Sequence, residues 1–290
     1  MAILKTKTVK GGEVTELEMD IFYLNQIPDV MDKMGWSIAS ELMKYWFNTK
    51  PAFEMDDALR NTYMKGKSID IPKERYNDTI VKMNWAVNYK QVQDAIDILI
   101  NKKLGNKASN DSIFKRLLKR NLVKSSSEKE IYVGYGSDII DIDYTSQINV
   151  ETFGGNYDAI DELRGAIGKG SLNLCVRGYY DLSQKKNRFV VDKIGFYIKD
   201  AYNFSGDYEP LGIWSRNDIL GYGHILKFMT TYKLKDWRTL YKEYKGYVPV
   251  FNKDFRSWQR KHNEGGDYIV FSDVYWIEPP SEHQVIYESN

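Results

Sequence analysis

A change of hydrophobic period constrains this chain more than any other feature. Up to about residue 122, apolar residues recur at helical spacing. Beyond the polar run Ser125-Ser126-Ser127-Glu128 they recur mainly in alternation, as in strands. Helices first and strands later, with no regular strand–helix alternation, predict an α+β protein rather than a parallel α/β one. The expected architecture is a helical N-terminal region packed on a mainly antiparallel, β-rich C-terminal region. Residues 1–20 read as a flexible leader, 21–127 as the helical region and 128–290 as the β-rich region that would carry an active site. The linker is short enough that 21–290 also reads as one continuous unit.

In the first region, Val30, Met31, Met34, Ile38, Leu42, Met43 and Trp46 predict one amphipathic helix, capped by Asp29 and ending near Phe47. Further helices are expected over Met55–Met64, Asp78–Asn88, Tyr89–Lys102 and from an Asp111 cap to Lys119. The basic cluster Lys115, Arg116, Lys119 and Arg120 reads as a solvated helix face. In the second region, Ile131–Tyr135 and Gln147–Phe153 read as strands, and Asp158–Ala166 as a short helix. Leu172–Leu182 and Arg188–Lys199 flank polar Ser183–Asn187 and read as a hairpin. The alternation slips near Asp192-Lys193, which predicts a bulge. Asp200–Trp214 reads as a loop, Ile225–Tyr232 as a strand, and Asp236–Tyr244 and Asn252–His262 as helices. Tyr268–Ile277 is expected to close the sheet.

Composition excludes several function classes. The 290 residues carry 41 basic and 40 acidic groups, a net charge of +1. A field for nucleic acid is therefore not expected. One cysteine, Cys175 in an apolar run, rules out an internal disulfide and reads as a buried thiol. Three histidines do not suggest a metal centre. No stretch approaches the ~20 apolar residues of a membrane span. The first residues lack the apolar core of a secretory signal, so synthesis in the cytoplasm is expected. The 22 tyrosines, with 7 Trp and 12 Phe, are expected to pack the sheet.

Two polar clusters offer chemistry. Asp200, Tyr202, Asn203 and Asp207 follow a predicted strand, where a rigid sheet presents functional groups. There Asp supplies a base or a metal ligand, and Tyr a donor to developing charge. Arg256 and Arg260, four apart on a predicted helix, suit a phosphate clamp, with His262 beside them and Asp267 at the mouth of the next strand. Ordinary turn and salt-bridge roles account for the same residues. A divalent metal is an open option.

Four segments carry a resemblance: FYLNQIPDVMDKMGWSIASELMKYWF from Phe22, YVGYGSDIIDIDYTSQINV from Tyr132, VDKIGFYIKDAYNFSGDYEPLGIW from Val191 and FNKDFRSWQRKHNEGGDYIVFSDV from Phe251. They resemble an uncharacterised bacterial domain-of-unknown-function family found beside type VI secretion genes. More locally, Asp200-Ala201-Tyr202-Asn203-Phe204 looks like the D-x-Y-D-F motif of colicin M-type toxins, which cleave the lipid-linked peptidoglycan precursor. Asn203 departs from that motif. So does Gly206-Asp207-Tyr208-Glu209, where the toxins continue into a His-Arg pair.

The resemblance implies an antibacterial effector delivered by a secretion machine into a target cell, with a spike or adaptor protein and an immunity protein as partners. Its target would be a phosphate-bearing envelope precursor, and an enzymatic activity would be hydrolytic and phosphodiesterase-like. On that reading Asp200, Tyr202 and Asp207 are catalytic. Asn203, Trp214, Arg256, Arg260, His262 and Asp267 bind substrate. A non-enzymatic adaptor and a membrane-disrupting toxin are the alternatives.

Overall fold

The computed structural model describes residues 3–10, 13–20, 22–122, 130–155, 158–183, 186–206 and 210–288. The expected boundary at Ser125–Glu128 lies outside them. The strands are β1 (Ile3–Lys10), β2 (Glu13–Asp20), β3 (Tyr76–Asn77), β4 (Glu130–Val133), β5 (Gln147–Phe153), β6 (Gly170–Asp181), β7 (Arg188–Tyr202), β8 (Pro210–Trp214), β9 (Val248–Phe251), β10 (Tyr268–Phe271), β11 (Tyr275–Ile277) and β12 (Val285–Tyr287). The helices are α1 (Ile27–Lys33), α2 (Ser37–Asn48), α3 (Asp57–Lys65), α4 (Met83–Ala86), α5 (Lys90–Ile98), α6 (Lys107–Asp111), α7 (Leu118–Leu122), α8 (Ile139–Ser146), α9 (Glu162–Ala166), α10 (Tyr222–Lys233), α11 (Trp237–Glu243) and α12 (Asn252–His262). Most helices precede most strands, and the fold is α+β.

The chain divides into two compact units, each built from separate stretches: residues 1–54, 159–166 and 204–266 in one, and 55–158, 167–203 and 267–290 in the other.

In the second unit one sheet is organised around β7, a strand of 15 residues. One side of β7 pairs with β6. The other side is shared in succession by β12, β11 and β10. The far side of β6 carries β5 and β4. These pairings are antiparallel, and β3 joins β10 in parallel. The expected hairpin is β6–β7, and its register shifts at Arg177/Gly178, leaving Asp192 as the extra residue. That is the bulge the broken alternation predicts. Leu172, Leu174 and Val176 on β6 stand opposite Ile198, Phe196 and Ile194 on β7, and all six are wholly buried. Each such burial is worth ~1.5–3 kcal/mol, so this double row anchors the unit. Cys175 is buried beside them, and burial pushes its thiol up, away from the thiolate.

Several local expectations need correction in this unit. The helix expected over Asp78–Asn88 shrinks to α4. The Asn77 carboxamide accepts the N–H groups of Thr79 and Ile80, at 3.1 and 3.0 Å, and turns the chain there. Asp273 then accepts the Met83 N–H at 2.6 Å and caps α4 from the break between β10 and β11. Asp111 ends α6 rather than capping a helix; the cap is Asn106, which accepts from Ser109 at 2.9 Å. Helix α8 was not expected at all, because Ile139-Ile140-Asp141-Ile142-Asp143 lacks a clear helical stripe.

The basic cluster is not simply solvated. Lys115 and Lys119 are exposed, but Arg116 and Arg120 are half-buried and close the C-terminus of α8. Arg120 donates to the Tyr144 carbonyl at 2.6 Å, Asn121 to that of Thr145 at 3.1 Å, and Arg116 to that of Gln147. Cations there satisfy carbonyls that lack helical partners and face the negative end of the helix dipole.

In the first unit, the single helix expected over 29–47 is two. Gly35, at φ 77°, ends α1, where its N–H donates to Asp32 and that of Trp36 donates to Met31. Asp29 lies inside the first turn of α1, behind Pro28. Trp46 on α2 is the centre of an aromatic core with Phe47, Phe204, Phe255 and Trp258. The expected strand Ile225–Tyr232 is helix α10. Ile225, Phe228, Met229 and Tyr232 are spaced three, four and seven apart and pack one face onto Ile213, Leu220, Leu240 and Tyr244. The β preference of those side chains masked the helical period. Residues 200–202 and 210–214, expected as loop, belong to β7 and to β8, which pairs with β9.

Candidate functional site

The end of β7 gathers part of the first polar cluster. Antiparallel pairing sets Asp200 opposite Val270 and Tyr202 opposite Tyr268. Alternation puts Asp200 and Tyr202 on one face of the sheet. The Tyr202 ring stacks on Tyr268, with centroids 5.2 Å apart. Desolvation pushes the Asp200 carboxyl up to about 8, against smaller opposing effects of the Ala201 N–H and the Arg60 guanidinium. Desolvation also raises the Tyr202 phenol. Both groups are therefore protonated at neutral pH. The Asn203 Nδ2 is buried without a hydrogen-bond partner among the described residues. Asp267, 1% exposed, accepts the Met55 N–H at 2.9 Å and so ties down the chain entering α3. Asp207 lies outside the described residues.

The next residue back holds the opposite arrangement. Lys199 and Tyr197 lie on the other face of β7 and meet Asp143 of α8. Lys199 Nζ is 3.0 Å from one carboxylate oxygen, and the Tyr197 hydroxyl donates to the other at 2.5 Å. All three side chains are buried. Burial and, after it, the Asp143 charge hold the Tyr197 phenol well above its ordinary range. Sequence reasoning missed this group. The one available signal was a lysine closing the apolar run Ile194–Ile198, which reads equally as an exposed strand end.

The remaining expected residues lie in the first unit. Arg256 is buried on α12. Its Nε donates to the Phe204 carbonyl at 2.8 Å and its Nη1 to Gln259 at 3.1 Å, with Glu54 at 3.8 Å. Arg260 is exposed, 3.4 Å from Ser257, so the two guanidiniums do not converge. His262 is exposed with its ring 4.6 Å from that of Trp258. Trp214 is buried, edge-on to Trp36 at 6.4 Å. This unit also holds a cleft of about 260 Å³ lined by Ser215, Arg216, Asp218, Lys245 and Tyr247. Within it Asp218 accepts from Ser215 at 2.6 Å and Tyr247 at 2.8 Å. Among the described residues no three His, Cys, Asp or Glu side chains come together as a metal-binding group, and no helix is long and apolar enough to cross a membrane.

A family of unknown function (DUF6402) matches residues 22–287, and the chain belongs to it. No curated protein and no solved structure matches it significantly.

Proposed function

We propose that this protein is an antibacterial effector of a type VI secretion system, acting on a phosphate-bearing cell-envelope target, with Asp200 as its acid–base group. The observation that carries the reading is the protonated Asp200 carboxyl at the end of β7, beside Tyr202 in the D-x-Y-x-F run that resembles colicin M-type toxins. A carboxyl whose pKa is about 8 keeps its proton at neutral pH and can give it up in a transition state. In a phosphodiester hydrolysis, a water oxygen would bond to phosphorus and the bond to the leaving oxygen would break. Asp200 would protonate that oxygen, and the water's released proton would restore the acid. The Tyr202 hydroxyl, on the same face, would donate to the developing charge. A cognate immunity protein and a spike protein are the partners this reading requires.

The test is growth of a bacterial host expressing the chain in the cytoplasm or, separately, with an export signal. Killing is expected on export alone, and Asp200→Asn should cut it at least a hundredfold while leaving the far-ultraviolet circular dichroism unchanged. A folded Asp200→Asn protein that kills like the wild type would remove the acid assignment.

One observation favours a second reading, a non-enzymatic adaptor. Leu226 and Leu234 of the α10 region and Trp237 of α11 are 79%, 75% and 52% exposed. Large apolar side chains left in water in one region mark protein contacts. Absence of killing in both compartments, with capture of a spike protein that is lost in Leu226→Asp, would establish that role instead.

A further inference from the structure

The face of the second unit's sheet that α8 covers at Tyr197 and Lys199 carries, farther along, a row of aromatic rings that are partly exposed. Tyr132 on β4 pairs directly with Tyr179 on β6, with ring centroids 5.5 Å apart. Tyr132 is 5.8 Å from Tyr135. The Arg177 guanidinium then lies 5.3 Å from the Tyr135 ring and 5.5 Å from that of Trp276 on β11. Tyr132 and Tyr135 are 57% and 53% exposed, far more than sheet packing requires.

The backbone is shaped to present this row. Gly134, at φ 81°, brings the chain so close to β6 that a Cβ there would sit 2.5 Å from the Val176 carbonyl oxygen, and this aims Tyr135 at Arg177. Gly195 leaves room for the Trp276 ring, which a Cβ would meet at 2.7 Å. The indole thus approaches the β7 backbone more closely than any side chain at 195 would allow.

Charge decides what such a row can take. Arg177 is neutralised by Asp192, the bulge residue, at 2.6 Å. Lys193 meets Glu278 at 2.9 Å, and the Tyr132 hydroxyl donates to Glu130 at 3.0 Å. Both cations along the row face a carboxylate, and Glu130 adds one more acid. It therefore lacks the positive groove that a nucleic acid or an anionic lipid needs. No Leu, Ile or Met belongs to it, and its rings form an open ridge rather than the enclosed pocket in which protein hot spots sit. Exposed rings inclined to one another, by 35° between Tyr132 and Tyr179 and 67° between Tyr132 and Tyr135, with hydroxyl, carboxylate and guanidinium groups among them, suit an uncharged, polyhydroxylated chain whose C–H faces stack on single rings and whose hydroxyls meet the polar groups between them.

We propose that the Tyr179–Tyr132–Tyr135–Arg177–Trp276 row is a glycan platform that seats the sugar strands of the bacterial cell wall. The choice of cell-wall glycan rests on the envelope-directed reading above; the platform itself does not depend on Asp200.

The test is retention of the full-length protein on detergent-boiled, protein-free peptidoglycan sacculi at 0.1 and 0.5 M NaCl. The wild type should be retained at both salt concentrations and released by soluble N-acetylglucosamine oligomers. The Tyr132→Ala/Tyr135→Ala variant, whose changes are confined to exposed side chains, should lose at least tenfold in retention with an unchanged urea midpoint. Three outcomes would overturn the proposal: no retention of the wild type, retention abolished by 0.5 M NaCl, or oligomers that fail to compete, which would place the contact on the charged stem peptides. Killing on export with no retention would remove the platform and leave the effector reading standing. Retention without killing would do the reverse.

Discussion

Asp143 and Asp200 are two desolvated carboxylates on one sheet, and their environments differ. Asp143 meets a lysine and a tyrosine from one face of β7, while Asp200, adjacent to that lysine in sequence, faces the other way, where the Ala201 N–H and the Arg60 guanidinium offset its desolvation only in part. The first is a satisfied ion pair with a hydrogen bond on each oxygen. The second keeps its proton because nothing nearby compensates the charge fully. Desolvation alone thus decides little; the partner decides whether a desolvated acid keeps its charge or its proton.

The comparison breaks most visibly at Asp143. Asp143→Ala leaves the Lys199 ammonium buried without its carboxylate and should cost ~3–5 kcal/mol, read as a lower urea midpoint. Asp143→Leu combined with Lys199→Met should recover most of that loss, since a matched apolar pair carries no stranded charge.

Asp200 should respond to pH in a way that sharpens the contrast. Its native pKa of about 8 lies above the unfolded value of ~3.9, so the native state binds more protons between them. Its contribution to stability is present below pH ~4 and is lost as pH rises toward 8. Asp200→Asn should remove this dependence, so that the variant gains on the wild type by a few kcal/mol (~2–4) between pH 5 and 9. Parallel stability–pH curves for the two proteins would show that Asp200 ionises freely.

The smallest effect belongs to the hydrogen bond that Tyr197 donates. Tyr197→Phe removes one charge-assisted bond and keeps the ring, and should cost ~1.5–3 kcal/mol in urea unfolding. A cost near that of Asp143→Ala would mean that the tyrosine, not the lysine, holds the carboxylate.

What could be read from the sequence follows the range of the interactions. The β6–β7 hairpin and its bulge were legible because alternation over Leu172–Lys199 is long and its break is local. Helix α12 was legible over the same residues, Asn252–His262, that form it. Helix α10 was not, since Ile225, Thr230, Thr231 and Tyr232 favour strands although the spacing of its buried residues is helical. At the site, Asp200 and Tyr202 stand two apart and announce themselves. The Lys199–Asp143 pair joins residues 56 apart in sequence, and nothing local marks either as buried. Arg256 and Arg260 show the converse: correct helical spacing said nothing about which guanidinium would be buried and engaged with a neighbouring carbonyl.

The long strand β7 has a consequence for how the molecule is made. Among the described residues, one of its edges is covered by β10, β11 and β12, drawn from residues 268–287, which begin 66 residues after β7 ends. During synthesis β7 leaves the ribosome with that edge bare and must wait for all three short partners. For that interval the nascent protein presents an open template for pairing with a neighbouring chain. Folding yield in the producing cell should therefore depend on how quickly translation runs through the final strands, and on whatever holds the exposed edge meanwhile.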